Sequence, residues 1–180
     1  NPSSNLKLAS GIAPIKQLME LGVNVGIGTD GPASNNDLDM FEEIRLTTFL
    51  AKGVSGDPTT LPAKTTLAMA TRIGAKALHI GDITGSLEPG KRADLITINI
   101  DTVHNSPSFR HLPDAPYSQV VYAAKATDVT DVMVNGKWLM KDRVLQTIKE
   151  KELLIQAQEY ALKIDLFLSQ RESSVVSKLI

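Results

Sequence analysis

The apolar positions of this chain change rhythm several times, and each rhythm predicts a different element. Over residues 10–21, Ile12, Ile15, Leu18 and Met19 fall on one stripe at helical spacing, with Pro14 in the first turn. Gly22 stands where a helix end needs positive φ. The next run, Val23-Asn24-Val25-Gly26-Ile27-Gly28, is short and apolar and closes on Thr29-Asp30-Gly31. It predicts a buried strand of a parallel sheet, too short for a helix and directly preceded by one. Residues 31–36 carry loop and cap chemistry. Met40, Phe41, Ile44, Thr48 and Ala51 then mark an amphipathic helix ending near Lys52-Gly53, and 62–70 and 71–80 predict two further short helices.

After His79 the pattern turns to glycine-punctuated alternation. Segments 93–98, 119–123 and 129–140 read as strands, and Asn135-Gly136 between apolar residues predicts a hairpin. From about Thr147, Leu154, Ala157, Ala161, Ile164 and Leu168 return to helical spacing. The chain therefore divides into an α/β part (1–84), a β part (85–146) and a terminal helix with its tail (147–180). A single α/β strand cannot make a sheet, and isolated hairpins are marginal in water. Missing partners are expected, supplied by an N-terminal portion. The opening Asn1-Pro2-Ser3-Ser4-Asn5, without a methionine, reads as a loop, and a fragment or processed product is expected.

Composition narrows the chemistry. Hydrophobic residues make up 42% and charged residues 22%, with a formal charge of −1, so there is no basic footprint for nucleic acid. No apolar stretch is long enough to span a membrane. The absence of cysteine excludes disulfides, thiolate metal sites and a cysteine nucleophile, and fits a reducing, cytoplasmic setting.

The chemical signal is Gly28-Thr29-Asp30-Gly31. A carboxylate at the C-terminal end of a parallel strand sits where barrel and open-sheet enzymes place their active sites. Such an aspartate can ligate a metal and pass protons. A turn or helix-cap role for Asp30 fits the same four residues.

Longer motifs carry a resemblance. Asn1-Pro2-Ser3-Ser4-Asn5-Leu6-Lys7-Leu8, Gly11-Ile12-Ala13-Pro14, and Gly28-Thr29-Asp30-Gly31 follow one another in order. Asn35-Asn36-Asp37-Leu38-Asp39-Met40-Phe41, Gly85-Ser86-Leu87-Glu88-Pro89-Gly90-Lys91-Arg92-Ala93-Asp94-Leu95 and Val132-Met133-Val134-Asn135-Gly136-Lys137 come next. Together they resemble the C-terminal part of the amidohydrolase superfamily, in the branch of 5-methylthioadenosine/S-adenosylhomocysteine deaminases and triazine chlorohydrolases. The resemblance covers residues 1 to about 150.

It implies an α/β fold: the end of a TIM-type (β/α)8 barrel plus part of a small β-sandwich domain. It implies a metal-dependent deaminase acting on an aminopurine nucleoside, with guanine deaminase and triazine-type hydrolase as alternatives. It further implies that Asp30 binds one divalent metal, zinc above iron, manganese or nickel, contacts the substrate, and moves the proton from water to departing ammonia. The family's histidine ligands would lie upstream of Asn1. His79, His104 and His111 all lie beyond Asp30, so the 180 residues alone are expected to be inactive. An inert structural module is the reading from another class.

The remaining candidates are weaker. His104 and His111 lack a neighbouring acidic cluster, and His79 suits the end of a helix. Ser3, Ser4, Asn5 and Ser34 are candidates for shaping the pocket around Asp30, against plain side-chain to backbone bonding in turns. The last helix is expected to pack on the barrel or on a second subunit, leaving a homo-oligomer open.

Overall fold

The computed structural model describes residues 1–109 and 111–170. It opens not on a loop but on a helix, α1 (Pro2–Lys7). Pro2 occupies the first helical position, where its missing N–H costs nothing, and Lys7 lies in the last turn, where a cation meets the helix dipole. The helix expected over residues 10–21 shortens to α2 (Ile15–Glu20), because Pro14 sits at its N-cap and starts it rather than riding inside it. Gly22 takes φ 76° at its end, as anticipated.

Residues 23–30 are the main departure from expectation. They lie outside every helix and form no strand ladder among the described residues, and Val23 is half exposed. The period-two logic is nevertheless present. Val25 and Ile27 point into the helices, where Ile27 packs on both core clusters. Gly26 meets Gly74: a Cβ on Gly26 would lie 3.2 Å from the Gly74 Cα. A strand needs neighbours on its edges, and the described residues provide none for it.

Around this segment pack α3 (Pro32–Asn35), α4 (Met40–Ser55), α5 (Ala63–Met69) and α6 (Arg72–Ala77). The longest, α4, starts at Asp39, whose carboxyl accepts the N–H groups of Phe41 and Glu42, and ends at Gly56 in the left-handed region. It buries Phe41, Ile44, Thr48 and Ala51 as the pattern predicts. Ile44 joins Ala63 and Val121, while Ala51 joins Leu61 and Met69. The Thr48 hydroxyl bridges to Thr66 on α5 at 3.0 Å, so a buried polar pair stays satisfied.

The run 119–123, expected as a strand, is a π-helical turn that continues α7 (Ala115–Ser118). Val121 is fully buried against Ile44 and Ala63. Arg45 donates to the Ala124 carbonyl at 2.5 Å, fastening the turn to α4. Helical winding places one residue of the apolar run in the core, which an isolated strand at this site could not support with a ladder.

The β part forms one four-stranded antiparallel sheet in the order β1 (Leu95–Ile98), β2 (Val129–Val134), β3 (Lys137–Lys141), β4 (Val144–Leu145). Asn135 and Gly136 both take positive φ, 49° and 75°, as the hairpin reading requires. Asp131 on β2 ties the sheet together. It accepts bonds from Thr97 on β1, from Thr130 at 2.7 Å, and from the Asp142 N–H of the β3–β4 turn at 2.9 Å.

These donors, the Thr97 hydroxyl first and then the Asp142 amide, lower the Asp131 carboxyl to about 2. A depressed carboxyl stabilises the fold above its ordinary value of 3.8, and that stabilisation is lost as pH falls toward about 2. Thr97→Val should move the Asp131 titration upward, read by carbon NMR of the carboxyl. An unchanged midpoint would show that Thr97 is not the dominant donor.

The last element, α8 (Glu150–Gln170), is exposed along residues 150–169, including Leu154, Ile164 and Leu168. Among the described residues, none covers Leu154, Ile164 or Leu168 enough to bury it. No helix of the described residues is long and apolar enough to cross a membrane.

Candidate functional site

Asp30 ends this segment and stands exposed at φ 67°, in the left-handed region that Asp and Asn tolerate better than most residues. The conformation turns the chain directly into α3, so the carboxyl lies one turn from its nearest partner. Ser34 donates its hydroxyl to Asp30 Oδ2 at 2.7 Å. That bond, then the Gly31 backbone amide and more weakly the Ser4 hydroxyl, hold the carboxyl below its ordinary pKa. Asp30 is thus an ionised, accessible oxygen donor at neutral pH.

The shaping residues separate on inspection. Ser34 touches Asp30 directly. Ser4 is buried, with 2% of its surface exposed, and its hydroxyl reaches the Thr29 carbonyl at 3.4 Å. Ser3 acts through its backbone, whose N–H donates to Glu43 Oε2 at 3.2 Å. No described hydrogen bond links Asn5 to Asp30. Asn5 instead lines a small cavity of about 50 Å³ with Asn1, Ile12, Ile27, Leu50 and Met69.

Glu43 escaped the sequence reading. It lies fully buried on α4 and also accepts the Asn35 amide at 2.6 Å. The signal was available: position 43 falls on the Met40–Ile44–Ala51 stripe, where a carboxyl is out of place unless it is paired.

The histidines do other work. His104 Nε2 contacts Asp128 Oδ2 at 2.8 Å, and Asp128 also receives the Asn105 amide at 3.0 Å and the Lys125 N–H at 2.9 Å. Burial opposes the Asp128 charge, but these donors together hold its pKa below the ordinary value. The arrangement closes the loop before β2. His79 is exposed just past α6 at φ 59°, and His111 is exposed beside Leu112. Among the described residues, no group of three or more His, Asp or Glu side chains converges as a metal cage. Asp30 fits the part of a single hard ligand, since its ionised carboxyl is open to solvent; the remaining ligands of a zinc site must come from elsewhere.

Comparison with known proteins gives a consistent picture. The sequence profile of the amidohydrolase family matches residues 1–139. The 5-methylthioadenosine/S-adenosylhomocysteine deaminase of Syntrophomonas wolfei is 46% identical over 164 residues, covering 91% of this chain and 37% of that protein. An adenosine deaminase from Xanthomonas campestris, solved with bound zinc, superposes with a TM-score of 0.85 at 45% identity, over 92% of this chain and 36% of the other. The atrazine chlorohydrolase of Arthrobacter aurescens, solved with zinc, gives 0.77 at 25% identity, over 87% and 34%. The chain therefore spans about a third of the length of the relatives it matches.

Proposed function

The chain belongs to the amidohydrolase family, and from that premise we propose that it supplies the last metal ligand of an enzyme that hydrolytically deaminates an aminopurine nucleoside. Residues 1–84 close the barrel of that enzyme, 85–146 complete its small β domain, and 147–180 form a terminal helix and tail. The observation that carries the reading is Asp30: an ionised, solvent-open carboxyl at the end of the apolar run 23–28 and Thr29, braced by Ser34 and the Gly31 amide.

A bound divalent metal, zinc in our reading, would supply the Lewis acidity that makes water a nucleophile near neutral pH. The chain's own part is to place and move protons. Asp30, held ionised, takes a proton from the attacking water and delivers it to the amino nitrogen as the carbon–nitrogen bond breaks, so that ammonia leaves. Ser34 keeps one carboxyl oxygen oriented throughout. The missing ligands explain why residues 1–180 alone should be inert: one carboxylate does not hold zinc usefully.

The likeness to deaminases near 45% identity, against 25% for the triazine hydrolase, favours an aminopurine over a chlorinated triazine. The test is ammonia release by the zinc-loaded whole protein from 5-methylthioadenosine, S-adenosylhomocysteine, adenosine, guanine and a chlorotriazine. Turnover of the first three above the others is expected. Activity confined to guanine or the triazine would replace the substrate class, and a protein that binds no metal would overturn the reading.

A further inference from the structure

We propose that Glu43 is a positioning residue for Asp30, a buried carboxyl that clamps the Asp30 loop and α1 into one geometry. The inference rests on the role given to Asp30 above and adds the group that sets its position. Each oxygen of Glu43 accepts from a different segment: Oε1 from the Asn35 amide at 2.6 Å, and Oε2 from the Ser3 N–H at 3.2 Å.

Both segments lead to Asp30. Asn35 adjoins Ser34, whose hydroxyl holds Asp30 Oδ2 at 2.7 Å. Ser3 adjoins Ser4, whose hydroxyl reaches the carbonyl of Thr29 at 3.4 Å. The far end of Asn35 is used as well, since its Oδ1 accepts the Leu38 N–H at 2.7 Å.

The loop needs such a clamp. Asp30, Asn36 and Leu38 all take positive φ, and a leucine there is costly. Backbone of this kind persists only where its surroundings over-determine it. A role confined to packing would be met by leucine or methionine on the α4 stripe, without the cost of desolvating a carboxyl. The first turn of α4 eases that cost, because its dipole favours a negative charge.

The test is a swap in the zinc-loaded whole enzyme. Glu43→Gln turns one acceptor into a donor that faces an N–H. Asn35→Asp sets two carboxyl groups against each other. The double variant restores every bond in reverse: the new amide at position 43 donates to the new carboxylate at position 35. The remaining amide oxygen keeps the Ser3 N–H, and the second carboxylate oxygen keeps the Leu38 N–H.

Supporting groups of this kind alter metal affinity or activity by about 10–100-fold. Each single variant should weaken zinc retention against a chelator, and lower kcat, by about that factor. KM should change much less, and the double variant should recover both losses. Wild-type zinc retention in a folded single variant would overturn the proposal. So would a double variant with wild-type Tm that still loses zinc.

If a single variant does not fold, the double variant decides by the same two readouts. Zinc retention needs no substrate, so an enzyme that binds zinc but deaminates no aminopurine would refute the substrate reading and leave the Glu43 comparison standing. A wild-type enzyme that holds no metal would sink both.

Discussion

Asp30→Asn should abolish deamination while leaving the fold in place. Asparagine tolerates the left-handed conformation that Asp30 adopts at φ 67°, so the turn into α3 survives. The Ser34 hydroxyl can still donate to the amide oxygen. Only the charge and the capacity to carry a proton are removed, and general acid–base groups contribute about 10²–10⁴-fold to rate. Loss of an anionic metal ligand adds to this, so kcat should fall by at least about 10³-fold. The measurement pairs kcat with Tm in the whole enzyme. A folded variant that keeps a tenth of its turnover would remove Asp30 from the chemistry and return it to the turn-forming role that the local sequence also allowed.

The largest effect on stability is expected at Gly85, where the helical part hands over to the β part. Gly85 has φ 92°, and a Cβ there would lie 2.6 Å from the Ala75 Cβ and 3.1 Å from the Arg72 Cα. The second of these is backbone and cannot rotate aside. Gly90, in the same motif, has nearly the same φ, 93°, but nothing within 4 Å of an added Cβ.

The pair separates two costs. Gly90→Ala should pay only the conformational penalty, about 1–2 kcal/mol. Gly85→Ala should add overpacking of about 1–3 kcal/mol, for a total of about 2–5 kcal/mol. Urea unfolding of the two variants checks this. Equal shifts in the midpoint would show that the close contact between Gly85 and α6 does not limit stability.

How much of this was legible in the sequence depends on how local the cause is. Asn135-Gly136 specified its hairpin because two positive-φ residues leave one turn available. The α4 stripe was readable because burial at helical spacing repeats itself over several turns. Pro14 was misread because proline suits both the edge and the first turn of a helix, and the local sequence does not choose between them. Residues 119–123 were misread because a short apolar run has no period of its own; burial of Val121 on Ile44 and Ala63 decided for helical winding.

Residues 23–30 mark the boundary most clearly. Their alternation shows in Val25 and Ile27, yet no ladder forms among the described residues, because hydrogen-bond partners are a property of neighbours and not of the segment. The candidate site divides along the same line. The sequence by itself determined that Asp30 closes an apolar run between glycines, that three histidines lie downstream of it, and that ordered motifs resemble one family. Only the tertiary structure decided that Ser34 rather than Asn5 braces the carboxyl, that His104 belongs to Asp128, and that Glu43 accepts from Ser3, forty residues away in sequence, as well as from Asn35. Hydrogen bonds between distant segments follow from how helices pack, and packing is set by the whole buried surface at once rather than by any short stretch of chain.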